Sequence, residues 1–114
     1  MKNPYLVHER SGNSTSVNAN TDIMSTDFSP KFDGYLHVQH TAVTSGTFKI
    51  IKKATSGGSA EATLILNSAT AQVAAATYNY TVLLRKGKYY NFQIGTGSVI
   101  TELLAFFCSE GRGS

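Results

Sequence analysis

The chain has 114 residues, of which 41% are hydrophobic and only 15% are charged, and its formal net charge is +3. This length fits one domain with one core, and the small charge argues against a nucleic-acid binder, whose surface is usually strongly basic. The single cysteine, Cys108, excludes an internal disulfide bond and a multi-cysteine metal site.

No apolar run approaches the roughly 18 residues that a membrane-spanning helix needs, and residues 1–10 lack the hydrophobic segment of a signal peptide. The sequence therefore predicts a protein with no membrane segment and no export signal. Small polar residues take the place of the missing charge. They suit turns, and they also suit surfaces that pack against a neighbouring protein without desolvating charged groups.

The first segment, residues 1–13, contains one short apolar patch, Tyr5-Leu6-Val7, before a polar run. This pattern predicts an arm or an edge strand, joined to the rest of the chain by a flexible link. Residues 14–25 contain few large apolar side chains and predict short strands at most. Turn-forming residues dominate 28–34, where Pro30 argues against a central strand.

Apolar and polar residues alternate through much of 34–66, which is the pattern of strands that bury one face. Three strands are predicted here, separated by a turn at 44–46 and a loop at 55–59. Their predicted core residues are Leu36, Val38, Ala42, Phe48, Ile50, Ala62, Leu64 and Leu66.

The Ala-rich stretch 68–76 leaves a helical turn and a strand as open alternatives. A hairpin is predicted next, with Gly87 at its turn. Its two arms each place apolar residues on one face, and these are Tyr78, Tyr80, Val82 and Leu84 before the turn and Tyr90, Phe92 and Ile94 after it.

The last segment, 98–108, is apolar on both faces. The alternation places Val99, Leu103 and Phe107 on one side, and Ile100, Leu104 and Phe106 on the other. Such a strand is predicted to be buried on both sides or covered by a second subunit. Glu102 interrupts it, and we expect this carboxylate either to pair with a cation across a subunit boundary or to face solvent.

About eight short strands at spacings of roughly 8 to 12 residues, with no convincing long helix, predict an all-β fold. The specific expectation is a single-domain antiparallel β-sandwich that is jelly-roll-like. The predicted organisation is an N-terminal arm at 1–13, the sandwich at 14–108 and a C-terminal tail at 109–114.

No set of residues predicts catalysis. His37 and His40 are three residues apart on one strand, so they point to opposite faces and do not share a metal ion. Asp22 and Asp27 lie among turn formers, where aspartate usually closes turns. The run Gly95-Thr96-Gly97-Ser98 matches neither a nucleophile elbow nor a phosphate loop. We therefore expect no catalytic, cofactor-binding or metal-binding residues and no enzymatic activity.

Two ligand classes remain to be weighed. Basic residues beside Tyr89 and Tyr90 resemble single-stranded nucleic-acid sites, but the same residues protect turns and edges from aggregation. Carbohydrate or receptor binding is the stronger alternative, because tyrosine rings stack on sugars and β-sandwiches often carry sugar sites. Its candidate binding residues are Tyr35, Tyr89 and Tyr90.

Two stretches carry a resemblance to a known class of proteins. The first joins Phe28-Ser29-Pro30 to Asp33-Gly34-Tyr35-Leu36, and the second runs from 77 to 92 with the pattern Leu-x-Arg-x-Gly-x-x-Tyr-x-Phe. Together they resemble small jelly-roll structural proteins of viruses and phages, over roughly residues 14–108. The resemblance implies a decoration, cement or head-tail accessory protein, commonly trimeric, with a terminal arm that reaches a neighbour and with no catalytic or cofactor residues.

We therefore expect a structural protein of a virion that contacts copies of itself, in a trimer, and a major capsid or other virion protein. The expected interface residues are Tyr5, Leu6, Val7, Ile100, Leu104 and Phe106. Two alternatives stay open. One is the carbohydrate- or receptor-binding module, and the other is a subunit of an extracellular filament assembled by strand donation, which would show the same arm and the same apolar final strand.

Overall fold

The structure, a computed structural model, describes residues 5–66, 71–95 and 98–108. The described residues form seven strands and no helix. These strands are β1 (Tyr5–Val17), β2 (Gly34–Ala42), β3 (Phe48–Lys53), β4 (Ala60–Ile65), β5 (Thr77–Leu84), β6 (Tyr89–Ile94) and β7 (Ser98–Cys108). Every pairing between them is antiparallel. The predicted all-β class is confirmed.

The strands form two sheets that pack face to face. The four-stranded sheet has the order β1-β7-β2-β5, and the three-stranded sheet has the order β4-β3-β6. Because both sheets contribute to one cluster of buried residues, the architecture is a β-sandwich. The largest buried side chains of this core are Leu36, Leu84, Ile100 and Leu103 from the first sheet and Phe48 and Phe92 from the second.

β2 is the most regular strand and lies in the middle of its sheet, between β7 and β5. Its residues alternate between buried and half-buried along the whole strand. The predicted core positions Leu36, Val38 and Ala42 are all buried, as predicted. The same alternation places His37 outside and His40 in the core, so the two histidines point to opposite faces as the spacing required.

The predicted hairpin at 77–94 is wrong, although the predicted faces of its two arms are right. β5 pairs with β2 in one sheet, whereas β6 pairs with β3 in the other. The turn between them therefore carries the chain across the sandwich, with Gly87 at a φ of 82°. Two successive strands that each have one apolar face can bury those faces as neighbours in one sheet or as strands of two facing sheets. The alternation is the same in both arrangements, so it could not distinguish them.

Asp33 and Tyr90 stabilise this crossing. The Lys86 backbone N–H donates to Asp33 Oδ1 at 2.8 Å, and the Arg85 backbone N–H donates to the hydroxyl of Tyr90 at 2.9 Å. The hydrogen bond from the Lys86 backbone, with the nearby charge of Arg85, holds the pKa of Asp33 below its usual value. The turn is thus hydrogen-bonded to β6 through Tyr90 and to the residue that precedes β2, Asp33.

In β7 the predicted side of Ile100 is wrong. Thr41 pairs with Glu102 but Ala42 pairs with Ile100, so β7 carries one extra residue at this point. This β-bulge reverses the alternation, and Ile100 joins Leu103 in the core, where both are fully buried. Leu104 and Phe106 remain on the outer face, half-buried.

β4 also departs from the prediction. Ala62 and Leu64 were expected to point into the core, yet every residue of β4 is exposed. Leu66, just beyond the strand, is the only one of the three that is buried. β4 is an edge strand, and a cavity of about 440 Å³ separates it from the facing strand β5. The predicted inward face therefore has nothing packed against it.

Residues 5–13, predicted as an arm or an edge strand, belong to β1. This strand pairs with β7 along its length, with register shifts between Leu6 and His8 and between Ser11 and Thr15. The predicted boundary at 13/14 falls inside it. Residues 1–4, the tail 109–114 and part of the Ala-rich stretch lie outside the described residues. The described part of that stretch, 71–76, forms a turn and one bridge between Gln72 and Gly46.

The segment 20–28, where only short strands were predicted, lies along the outer edge of β6 without forming a regular strand. Its backbone donates to the carbonyl groups of Ile94 and Phe92. At its end, Phe28 and Tyr90 exchange two backbone hydrogen bonds of 2.8 Å each. These bonds satisfy the edge of β6, which would otherwise be open.

His40 is the least satisfied polar side chain of the core. It is 1% exposed and stacks on Phe48, with ring centroids 4.1 Å apart. Its Nδ1 lies 2.6 Å from Gln72 Oε1, so Nδ1 carries the hydrogen and donates it. Its buried Nε2 has no hydrogen-bond partner among the described residues. Burial lowers the pKa of His40 to about 4, although the hydrogen bond to Gln72 opposes this.

We expect this histidine to make the fold acid-sensitive. In the unfolded chain it takes up a proton near its ordinary pKa of 6.5, whereas in the folded protein it does so only near pH 4. The free energy of unfolding should therefore fall by about 2 kcal/mol from pH 7 to pH 4.5. Urea unfolding at both pH values measures this loss. The variant His40→Leu is less stable at both but should lose much less between them, and a wild-type stability that stays flat would contradict the assignment.

Candidate functional site

The most unusual surface is one side of the sandwich, formed by the outer edges of β4 and β5, which we call the open side. Both strands end their sheets there, and neither has a backbone partner on its outer edge within the described part of the chain. Three large apolar side chains are exposed on these strands. Leu64 is 47% exposed, Leu83 is 40% exposed and Ile65 is 37% exposed. The cavity between the sheets opens here, lined by residues of both edges.

The two edge strands of the open side carry little charge, although Lys52 and Arg85 line the cavity between them. β5 contains no charged residue and no proline, and Glu61 is the only charged residue of β4. Glu61 Oε1 lies 3.0 Å from Lys88 Nζ and 3.5 Å from Lys52 Nζ. The hydrogen bond from Lys88, with both positive charges, holds the pKa of Glu61 below its usual value. Monomeric proteins usually protect exposed edges with charges, prolines or bulges. β5 has no charged residue, no proline and no register shift, whereas β4 carries Glu61 and a register shift opposite Lys52 and Lys53.

A second apolar patch lies on the outer face of the four-stranded sheet. Leu6 pairs with Phe106 in the β1–β7 register and is 50% exposed, and Leu104 follows on the same face. The structure thus brings three of the predicted interface residues together. Val7 packs against the core and Ile100 lies within it, so these two do not contribute to this patch. The side chain of Tyr5 lies outside the described residues.

A shallow depression of about 210 Å³ lies beside this patch, between polar and apolar side chains. Its outward-facing lining residues are His37, Gln39, Asn79, Thr81, Leu104 and Phe106. Gln39 Nε2 donates to Glu102 Oε1 at 2.6 Å. Glu102 was expected to pair with a cation across a subunit boundary or to face solvent. In the structure its hydrogen-bond partner is instead the side-chain amide of Gln39 in the same chain. The depression therefore offers neutral hydrogen-bonding groups next to one aromatic ring.

His37 and Cys108 meet on the same outer face. His37 Nε2 lies 3.4 Å from Cys108 Sγ, and His37 Nδ1 lies 3.2 Å from Thr81 Oγ1. A thiol beside a histidine that a third group orients is the arrangement of a nucleophilic cysteine. Cys108, however, is only 2% exposed, so a substrate would not reach its sulfur. The contact fastens the end of β7 to β2.

The strongest charged cluster is centred on Lys53, whose side chain is 4% exposed. Lys53 Nζ lies 2.5 Å from Asp22 Oδ2 and 3.0 Å from Asp27 Oδ1. Burial alone lowers the pKa of Lys53 and raises that of Asp27. Hydrogen bonds outweigh burial in both cases, so the pKa of Lys53 lies above its usual value and that of Asp27 below. Both groups stay charged at neutral pH.

Asn91 connects this cluster to the backbone of Met24. Its Nδ2 donates to Asp27 Oδ1 at 2.8 Å and to the Met24 carbonyl at 2.9 Å, while its Oδ1 accepts from the Met24 N–H at 2.9 Å. Asp27 Oδ2 in turn accepts from the Gly57 N–H at 2.7 Å. These bonds hold the segment 20–28 and the loop after β3 against β6. The two carboxylates share the single positive charge of Lys53, and Asp27 is further held by hydrogen bonds from Asn91 and Gly57.

Within residues 5–66, 71–95 and 98–108, no three or more His, Cys, Asp or Glu side chains are grouped closely enough to hold a metal ion. The described strands and loops include no helix with the length and apolar character that crossing a bilayer requires.

The tyrosines proposed for the carbohydrate alternative are not brought together. Tyr90 is 5% exposed and belongs to the core. Tyr35 and Tyr89 are half-buried and lie on the outer faces of different sheets, since each alternates with core residues of its own strand. The structure therefore does not bring these three residues into one site.

Sequence reasoning missed two features of this surface. The exposure of β4 could not be predicted from the sequence, because its apolar and polar residues alternate as they do in a strand whose inner face is covered. The uncharged run of β5 did leave a signal in the sequence, since Thr77–Leu84 combines strong strand formers with no charge and no proline.

No family model, no curated protein and no solved structure matches this chain. The function is therefore argued from the geometry of the described residues.

The Lys53 cluster predicts a large stability effect. Lys53→Met leaves Asp27 buried without its cation, so the free energy of unfolding should fall by about 3 kcal/mol. Lys88→Met, which removes an exposed salt bridge to Glu61, is the matched control and should cost far less. Urea unfolding at pH 7 measures both, and equal losses would show that the Lys53 cluster does not hold the fold together.

Proposed function

We propose that this protein is a non-enzymatic structural subunit that acts through contacts with copies of itself. The observation that carries this proposal is the open side, where two edge strands, of which β5 has no charge, expose Leu64, Ile65 and Leu83 beside a cavity between the sheets. Exposed edges of this kind template pairing with another chain unless they are covered. Assembly covers them, and it also stabilises a small β domain that, with one cysteine, has no internal disulfide bond.

The topology we propose is a jelly roll of eight strands. In that fold an extended hairpin is rolled up so that strands pair first with last, second with seventh, third with sixth and fourth with fifth. If the segment 20–28 is counted as the second strand, the pairs β1–β7, segment–β6, β2–β5 and β3–β4 follow this order. The hydrogen bonds between this segment and β6 support counting the segment as the second strand.

The setting we propose is a viral or phage particle, where the protein would act as a decoration, cement or accessory subunit and would also contact a major capsid or other virion protein. This part of the proposal rests on the resemblance of residues 28–36 and 77–92 to small jelly-roll virion proteins, which also implies a trimer. Jelly rolls occur in capsids and in lectins alike, so topology alone does not choose between them.

The strand-donation alternative receives less support. It requires the N-terminal strand to pair with the sheet of a neighbour, whereas β1 pairs with β7 of its own chain from Tyr5 to Val17. A donated strand would first have to leave that sheet.

A second candidate function is binding of a small neutral carbohydrate. The depression on the outer face of the four-stranded sheet favours it, because amide and hydroxyl groups there lie beside Phe106. Sugars are recognised by such neutral hydrogen-bonding groups together with an aromatic ring. This site differs from the one predicted from the tyrosines.

The assembly proposal predicts a discrete oligomer at micromolar concentration, measured as molar mass by light scattering. The variant Leu64→Ser/Leu83→Ser should shift it towards monomer, because both residues are exposed on the open side. Val43→Ser, an equally exposed change between β2 and β3 and outside β4 and β5, is the matched control and should leave the mass unchanged. A monomeric wild-type chain would contradict the proposed function.

The carbohydrate candidate predicts saturable binding on a glycan array. Phe106→Ala should abolish it by removing the ring beside the depression, whereas Tyr89→Ala, on the other sheet, should leave it unchanged. An array on which the wild-type protein binds nothing would refute this candidate and would leave the assembly proposal untouched.

A further inference from the structure

We infer that the partner on the open side is a second copy of this chain, joined edge to edge, β5 against β5, around a two-fold axis perpendicular to the sheets. This inference rests on the proposed assembly function and specifies the contact through which it acts, with a dimer in place of the trimer that the resemblance implies. The two sheets have four edge strands, β1, β5, β4 and β6, and each could pair with a second copy.

The other edges are less suited to pairing. The edge strand β1 contains His8, Glu9 and Arg10 and has two register shifts, both of which are common protections of edge strands. The outer edge of β6 is covered by the segment 20–28. β4 is open but short, with six residues against the eight of β5. β5 is the longest unprotected edge among the described strands.

β5 is compatible with its own copy. Because it has no charged residue, antiparallel pairing of two copies places no like charges opposite each other. A two-fold axis perpendicular to the sheet keeps inner faces inner, so the inward row of Tyr80 and Val82 would continue into the second copy. The outward row of Asn79 and Thr81 would meet its own copy on the other face. The two four-stranded sheets would then form one continuous sheet.

The same axis brings β4 towards its own copy. β4 and β5 line the same cavity, so they lie on the same side of the sandwich. A two-fold axis that passes through both layers therefore covers both edges at once, together with the exposed Leu64 and Leu83. Glu61 lies near one end of β4 and is neutralised by Lys88, so it does not oppose the contact.

The size of the surface is sufficient for a specific contact. At about 3.4 Å per residue the edge of β5 is about 27 Å long, and sheets packed about 10 Å apart give this side a width of about 20 Å. Each copy would then bury on the order of 500 Å², or about 1,000 Å² in total, which reaches the lower limit for specific interfaces.

The test uses opposite charges on one strand. Asn79→Lys/Thr81→Lys and Asn79→Glu/Thr81→Glu place charges on the exposed outer face of β5, where each pair would meet its own copy across the axis. We expect each variant alone to have half the wild-type mass by light scattering, and an equimolar mixture to recover the wild-type mass. Asn18→Lys/Ser45→Lys, which changes exposed residues outside β4 and β5, is the control and should keep the wild-type mass.

The outcomes separate the two levels of the proposal. If the wild-type chain is an oligomer and both β5 variants keep its mass, or if the mixture fails to recover it, the β5 contact is overturned while the proposed assembly function stands. A wild-type mass of three copies that no dilution converts through a dimer also overturns it. If the wild-type chain is a monomer, the proposed function itself fails.

Amide hydrogen exchange of the unmodified protein gives a test that does not depend on the folding of variants. In β5 alternate backbone amides face β2, and the remaining ones face the open side. We expect the open-side amides of 77–84 to be protected at high protein concentration and to exchange faster on dilution. Rapid exchange of these amides in the undiluted oligomer would overturn the inference.

Discussion

The fold depends on the packing of two sheets against one small aromatic core. Phe48 lies at its centre, fully buried, and stacks on His40 from the opposite sheet and on Phe92 from its own, with centroid distances of 4.1 Å and 5.5 Å. With 114 residues there is material for only one such layer of contacts. The strands nearest this centre are covered on their inner faces, whereas β4, at the edge of its sheet, is exposed along its length.

The edges of the sandwich differ in whether another segment, charged residues or register shifts protect them from pairing. The edge of β6 is satisfied by the segment 20–28, which the Lys53 cluster and Asn91 hold in place. The edge of β1 carries charged residues and bulges. β4 and β5 end their sheets on the opposite side, where no described segment covers them and only β4 has a charged residue and a register shift, so the unprotected surface is concentrated there. A surface that is apolar, uncharged and continuous with a sheet edge is suited to another protein more than to a small molecule.

The polar groups of the molecule are engaged in holding its parts together. Lys53 pairs with Asp22 and Asp27, Cys108 lies against His37, and Gln39 donates a hydrogen bond to Glu102. These groups have the chemistry of catalytic residues but not the access, since they are buried or already paired.

The sequence by itself determined the all-β class, most of the strand positions and the inward faces of β2, β5 and β6. These features follow from an alternation of period two, which is local and is written directly in the chain. Leu36 and Val38 are buried, and Tyr90 and Phe92 are buried, as that alternation predicted.

Only the tertiary structure decided which faces meet a partner and which do not. The bulge that turns Ile100 inward, the crossing between β5 and β6, and the exposure of Leu64 all depend on which strand lies opposite, and alternation contains no information about this. The candidate site was predictable only in part, through Leu6, Leu104 and Phe106 on one outer face. The open side was not, because an edge is a property of the sheet order, and that order is set by contacts between residues far apart in the chain.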